Sequence, residues 1–287
     1  MANPTTNSAV TRSIAQGAQY IEERWSRDVE KPFYKMLQSA KLVQRRDGLV
    51  ANGGDTIRVP FMATVDARAK SASTDVTYDS PEDAPITINI DKHYYSAVKI
   101  EDIAAVQSTP DLKAMFQEAQ TEAVARQIDT DVLGLYGSAS NTVTGGATID
   151  DADILQVVAY FDGANVPMSM RRGIIGPNTK NDLLNVNKYV AYDQTGKTGK
   201  AVDGSDGMVT QLYNMNIYMS QNVPTSTTGR NLFFHKKAIT LAEQLKPTYK
   251  MEYSVDSIAT KAVLHAIYGV GVERATAMVQ VTRTTAP

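Results

Sequence analysis

Twenty-two residues, Thr64 to Pro85, separate two stretches that alternate like strands. They are polar, carry two prolines and offer few apolar anchors. Thr56-Ile57-Arg58-Val59-Pro60-Phe61 leads in, after a Gly53-Gly54-Asp55 turn. Ile86-Thr87-Ile88-Asn89-Ile90 and Tyr94-Tyr95-Ser96-Ala97-Val98-Lys99-Ile100 lead out. A compact lone domain rarely holds an unstructured loop beyond about 12–15 residues. The stretch therefore reads as a surface flap, a lid, or an arm that reaches another subunit.

A second element is equally awkward in a lone globule. Thr109 can cap a helix, Pro110 suits its first turn, and Asp111 complements its positive end. Leu112, Met115, Phe116, Ala119, Ala123, Ile128, Val132 and Leu135 form its apolar stripe, and Glu122 and Arg126 are spaced as an i,i+4 pair. The pattern predicts a helix over 109–136, about 40 Å long at 1.5 Å per residue. That is more than twice the usual length of about 11–12 residues.

The rest of the chain is α+β without an internal repeat. Residues 1 to 18 lack apolar periodicity and read as a mobile arm. Tyr20, Ile21, Trp25 and Val29, then Phe33, Met36, Leu37 and Ala40, predict two short helices parted by Pro32. These pack either on their own core or on a neighbouring chain, and the scarcity of apolar sequence before them favours the neighbour. Ser138 to Thr148 reads as a Gly/Thr/Ser loop and a boundary. Beyond it, Asp150 or Asp151 caps a helix with Ile154, Leu155, Val158 and Phe161 inward and Gly163 at its end. Arg172 to Gly176 reads as a buried strand, and Asn178 or Thr179 caps a helix through Leu183 and Leu184. Lys188 to Gly207 is a glycine-rich loop, Met208 to Leu212 a short helix, Ile217 to Met219 a strand, and Asn222-Val223-Pro224 a turn. Further strands are expected within Asn231–Leu241, from Thr248 through Val255, at Val263–Val272 and at Met278–Val281.

Composition closes off several functions. Lysine and arginine number 29 against 31 acidic residues, a net charge of −2, so no global basic field exists to hold nucleic acid. Cysteine is absent, which excludes disulfides, thiolate metal sites and a cysteine nucleophile. No apolar run approaches the roughly 20 residues of a membrane span. The polar opening residues lack the apolar core of a targeting segment. The expectation is a soluble protein made in the cytosol.

No motif in the sequence makes a convincing active site, cofactor site or metal site. Ala191-Tyr192-Asp193-Gln194-Thr195-Gly196-Lys197-Thr198 fits a relaxed phosphate loop, but Gly199, Gly204 and Gly207 oppose the helix that would have to follow. Gly269-Val270-Gly271 is a fragment of a dinucleotide fingerprint inside a strand pattern. His93, His235 and His265 lie far apart in sequence and read as hydrogen-bonded structural residues. Asp150-Asp151-x-Asp153 opens like a calcium loop but lacks its later Gly and Glu, so helix capping is the better reading. Arg171-Arg172 and Lys236-Lys237 read as solvated turns.

The order of features resembles a known family. A polar arm is followed by Gly54-Asp55-Thr56-Ile57-Arg58-Val59-Pro60, a long two-stranded loop, and returning strands at Ile86–Ile90 and His93–Ile100. Glu101-Asp102-Ile103 leads to the long helix, which carries Ala123-x-Ala125-Arg126-Gln127-Ile128-Asp129. Gly173-Ile174-Ile175-Gly176-Pro177 and Ile217-Tyr218-Met219-Ser220 come later. This resembles the major capsid protein of tailed bacteriophages, the Hong Kong 97-type shell fold.

The resemblance implies an N-terminal arm over 1–35 and an extended loop over 53–92. It implies a peripheral domain over 36–52, 93–149 and 246–275, with a spine helix near 109–136, and an axial domain over 150–245 and 276–287. It implies a non-enzymatic shell protein of the virion, assembled in the host cytoplasm. The chain would contact itself in hexamers and pentamers, packaged DNA non-specifically, a separate scaffolding protein, a portal and a decoration protein. Candidate inter-subunit contacts are Trp25 in the arm, Arg58, Arg68, Lys70, Asp75, Tyr78, Asp79 and Glu82 in the extended loop, and Lys197 near an axis. Asn214-Met215-Asn216 stands where related chains often place Gly in a turn, and Asn tolerates left-handed backbone angles. The competing readings are an encapsulin-like compartment, a nucleotide-binding enzyme using loop 188–207, and a surface-binding module using loop 64–85 as its tip.

Overall fold

A computed structural model describes residues 37–51, 53–61, 65, 67–78, 85–103, 112–190, 208–225 and 228–284. The predicted helix before Pro32, the start of the one after it, and the predicted cap at 109–111 lie outside the described residues; of the second helix's apolar positions, Leu37 is not helical and Ala40 lies in a short helix over Ser39–Leu42. A four-stranded sheet carries the longest elements, in the order β1 (Gln44–Arg45), β10 (Ile239–Ser254), β11 (Ala259–Val272) and β4 (Lys92–Glu101). Alternation sorts β11 into two faces: Ala262, Leu264, Ala266 and Tyr268 are buried, and the residues between them are half-buried.

The buried face meets helix α2 (Leu112–Leu133), whose 22 residues span about 33 Å. Gln120, Val124, Ile128 and Val132 face the sheet, four residues apart. Gln120 sits in this seam because its amide donates to the carbonyls of Ser96 (2.9 Å) and Ala262 (3.2 Å). The predicted stripe is therefore corrected in its first half, where Phe116 and Ala119 are exposed. Thr121 and Thr130, on the outer side, each donate to the carbonyl four residues back, at 2.8 Å. The chain continues as a 3-10 turn over Gly134–Ser138 rather than as regular helix to Tyr136.

A short ribbon of β2 (Thr56–Val59) and β3 (Ile86–Asn89) crosses the four-stranded sheet. Its base buries Val50, Ile57 and Ile88 against Ala242. Here the Gly269-Val270-Gly271 stretch has its explanation. A Cβ on Gly269 would meet the Asn89 carbonyl oxygen at 2.4 Å, and one on Gly271 would meet Ile88 at 2.9 Å. The glycines give β3 room to cross. The returning strands do not pair with each other: β3 pairs with β2, and β4 with β11.

A mixed six-stranded sheet follows the order β5 (Asn141–Thr144), β12 (Met278–Arg283), β9 (Gly229–His235), β6 (Arg171–Ile175), β8 (Met215–Met219) and β7 (Met208–Leu212). Helix α3 (Asp151–Gly163) packs on β5 and β12. One continuous core joins both sheets, from Phe161, Phe233 and Val281 to Leu241, Leu264 and Tyr268.

Four local expectations are corrected. Ser138–Thr148 holds strand β5, because Val143 is buried beside β12 and its Thr neighbours suit a strand. Met208–Leu212 is strand β7, not a helix, because Tyr213 and Asn214 both take positive φ (47° and 62°) and turn it into a hairpin with β8. The left-handed tolerance of Asn214 is used as expected. In α3, Val157 rather than Leu155 faces inward, and Leu155 is exposed. Gly176, rather than Asn178 or Thr179, precedes α4 (Pro177–Asn185), and Pro177 occupies its first turn.

Candidate assembly interface

The extended ribbon begins at a two-glycine turn, where Gly53 and Gly54 take φ of 104° and 108°. The Ile90 amide then donates to the Asp55 carbonyl at 2.7 Å, closing the open end of the β2–β3 pair. Beyond Val59 the ribbon leaves its own core. Every described residue from Val65 to Tyr78 is exposed. Val65, Val76 and Tyr78 are 66, 55 and 89% exposed, and Arg58, Arg68, Lys70 and Asp75 share that exposure. A turn held by Thr74 on the Ser71 carbonyl (2.9 Å) sits among them. Fully burying a valine is worth about 1.5–3 kcal/mol, so this segment holds apolar surface that its own fold does not use. Trp25, Asp79, Glu82 and Lys197 lie outside the described residues, as does the phosphate-loop-like stretch 191–198.

The exit toward the N-terminal segment is fixed by one buried carboxylate. Asp129, 1% exposed on α2, accepts from the Ser39 amide (2.8 Å), the Ser39 hydroxyl (2.6 Å) and the Gln38 amide (3.2 Å). These amides open the short helix α1 (Ser39–Leu42), so Asp129 caps it from another element. The other carboxylate oxygen receives Asn222 (3.3 Å) and Ser220 (3.4 Å), which follow β8. Three segments distant in sequence meet on a single side chain. Nothing in the sequence around Asp129 announces this role, because its partners lie about 90 positions away on either side.

A second polar knot joins residues that flank segment 191–207 in sequence. Lys188 and Tyr189 on helix α5 (Asn187–Val190) precede the segment, and Tyr213 follows it. All three converge on Asp151: Lys188 at 2.8 Å, Tyr213 at 2.6 Å, and Tyr189 through a short hydroxyl bond. Lys188 also reaches the Tyr213 hydroxyl at 2.6 Å. Burial works against the Asp151 charge, but bonds from Lys188, Tyr189 and Tyr213 outweigh it and hold the carboxyl below its ordinary range. Burial, reinforced by Asp151, pushes the Tyr189 phenol above its ordinary range. Asp153 accepts from the Asp150 amide at 3.0 Å, so the aspartate run caps α3 as expected.

Arg171 is not solvated: it is 2% exposed, stacks on Phe161, pairs with Asp162 (2.7 Å) and donates to the Val166 and Pro167 carbonyls. Arg172 reaches the Leu42 carbonyl at 2.5 Å. The Arg171 guanidinium satisfies carbonyls of the loop that precedes the strand. His93 and His265 meet edge to face at 5.6 Å, and the buried Nδ1 of His265 has no hydrogen-bond partner among the described residues. Lys236-Lys237 does lie in a turn. Among the described residues, no three metal-capable side chains gather.

A family model described as phage capsid protein matches residues 84–281. No curated protein matches the sequence. Among solved structures, that of Mycobacterium phage Che8 superposes with a TM-score of 0.80 at 22% identity, covering 93% of this chain and 98% of that one. The head structure of Helicobacter pylori bacteriophage KHP40 gives 0.76 at 11% identity, covering 97% and 99%. The asymmetric unit of the bacteriophage PhiM1 mature capsid gives 0.74 at 16% identity, covering 93% of both chains. The fold is the one the sequence resemblance implied.

Proposed function

We propose that this chain, which belongs to the phage capsid protein family, is the major capsid protein whose copies close into the icosahedral head shell around packaged DNA. The observation that carries this reading is the ribbon from Val65 to Tyr78, exposed at every described residue and bearing Val65, Val76 and Tyr78. Such surface is stable in a subunit whose neighbours cover it. A shell repeats one heterologous contact until rotation closes it. Weak contacts suffice because many act on each subunit.

In this reading the four-stranded sheet with α2 is the peripheral domain and the six-stranded sheet the axial domain, which moves β10 from Ile239 into the former and β5 (Asn141–Thr144) into the latter, against expected bounds at 245 and 150; segment 191–207 lies near an axis of five- or six-fold symmetry. Arg58, Arg68, Lys70, Asp75 and Tyr78 then meet neighbouring subunits, together with Trp25, Asp79, Glu82 and Lys197. Assembly takes place in the host cytoplasm with a separate scaffolding protein, a portal and a decoration protein. The near-zero net charge lets DNA slide past the wall without sticking. The shell has no catalytic task. The phage family match favours this reading over an encapsulin-like compartment.

Deleting residues 66–84 tests it. The expected product is a folded subunit that forms no stable shells by electron microscopy, while the full chain forms closed particles. Normal shells from the deletion would refute the role assigned to the ribbon.

A further inference from the structure

A cleft of about 350 Å³ opens where β9 hands over to β10 and β11 to β12, against the loop between α3 and β6. That volume lies within the roughly 300–1,000 Å³ of ligand-binding clefts. Its polar lining among the described residues is Asn165, Ser169, His235, Lys237, Arg274 and Thr276, without a carboxylate. The acidic residues adjoining it in sequence are engaged elsewhere: Asp162 pairs with Arg171 (2.7 Å), and Glu273 with Arg46 (2.6 Å).

Lys237 and Arg274 are exposed, and neither pairs with a carboxylate among the described residues. Arg274 lies over the Phe61 ring at 5.0 Å, which fixes the guanidinium plane and leaves its edge to bond. His235 is buried, with its Nδ1 accepting the Lys237 amide at 3.2 Å. Burial lowers its pKa against a bond to the Ser169 backbone, and Lys237, Arg274 and Arg171 lower it further. Concave walls focus such an unneutralised positive field.

The extended loop carries the complement. From Ser71 to Asp91 it holds Asp75, Asp79, Glu82, Asp83 and Asp91 and not one lysine or arginine. A heterologous contact needs two different surfaces on every copy, and this chain carries both. We propose that the cleft of His235, Lys237 and Arg274 receives the acidic segment 79–84 of a second copy of this chain. The proposal rests on the shell reading above and names the surface on which the ribbon seats.

The absence of cysteine makes the test direct. Thr276→Cys with Ser80→Cys leaves every proposed charge in place. Under mild oxidation, assembled shells of this variant should give a ladder of covalent oligomers on a non-reducing gel, and each single variant should not. Intact shells with uncrosslinked chains overturn the proposal. An internally bridged monomer also overturns it, by assigning the cleft to the chain's own loop. Lys237→Glu with Arg274→Glu should raise the concentration needed for assembly at least about tenfold. Adding Asp79→Lys, Glu82→Lys and Asp83→Lys should restore it. An unchanged threshold overturns the pairing. The unsubstituted chain, run in parallel with its scaffolding partner, reports on the shell reading itself: without shells there, both readings fall.

Discussion

Replacing Asp129 with alanine should loosen the exit of the N-terminal segment more than any other single substitution on α2. The carboxylate is 1% exposed and accepts two close bonds from buried Ser39, at 2.6 and 2.8 Å. Alanine leaves the buried Ser39 amide without its acceptor and the hydroxyl with only the long bond to the carbonyl of residue 129 (3.4 Å), at about 1–3 kcal/mol each. It also removes the cap of α1, worth about 1 kcal/mol. Because neighbouring effects are not additive, the expected total is about 3–4 kcal/mol. For a chain of this size that lowers the melting temperature by roughly 6–15 °C. Asp129→Asn keeps one acceptor for Ser39 but offers an amide to the donors of Asn222 and Ser220, so about half the loss is expected. Thermal unfolding of the unassembled subunit gives the magnitude, and limited proteolysis near residues 37–43 gives the location. A loss under about 1 kcal/mol for Asp129→Ala, with unchanged proteolysis, would refute the assignment.

Gly269→Ala should destabilise the subunit by about 2–3 kcal/mol through overpacking against the Asn89 carbonyl, read by denaturant unfolding. Arg171→Met should cost about 3 kcal/mol, because the Val166 and Pro167 carbonyls lose their donor; a change within about 0.5 kcal/mol would sink that account. Asp151→Asn should show a pH-dependent deficit. The folded carboxyl lies below its ordinary value, so its contribution is full above about pH 5, shrinks below the unfolded value of about 3.9 and disappears below the folded value. Stability curves of the two proteins should therefore converge in acid; a gap that stays constant with pH would contradict the role of the charge.

The order of elements was legible because each carried its own local signature. The two-glycine turn, the polar gap before Ile86 and the alternation of β11 need no tertiary information. Met208–Leu212 misled because five residues fit either period, and only the Tyr213-Asn214 hairpin decides between them. The face of α2 was half hidden because Gln120 occupies a core position that no hydrophobic pattern would assign. Arg171 looked solvated because its partners, Asp162 and the carbonyls of the loop before β6, are recruited by the fold. The cleft at Lys237 and Arg274 joins residues 37 positions apart across two strand crossings; no spacing motif announces it.

Helix α2 is a rod clamped along one half. Its second half is seated by Val124, Ile128, Val132 and Asp129, while Phe116 and Ala119 in its first half stand clear of the core. Such a cantilever concentrates bending where it leaves its seat. Thr121 bonds the carbonyl four residues back at that place, a contact that commonly bends helices. In the proposed shell, this stretch is where one subunit would bend to meet neighbours at different angles.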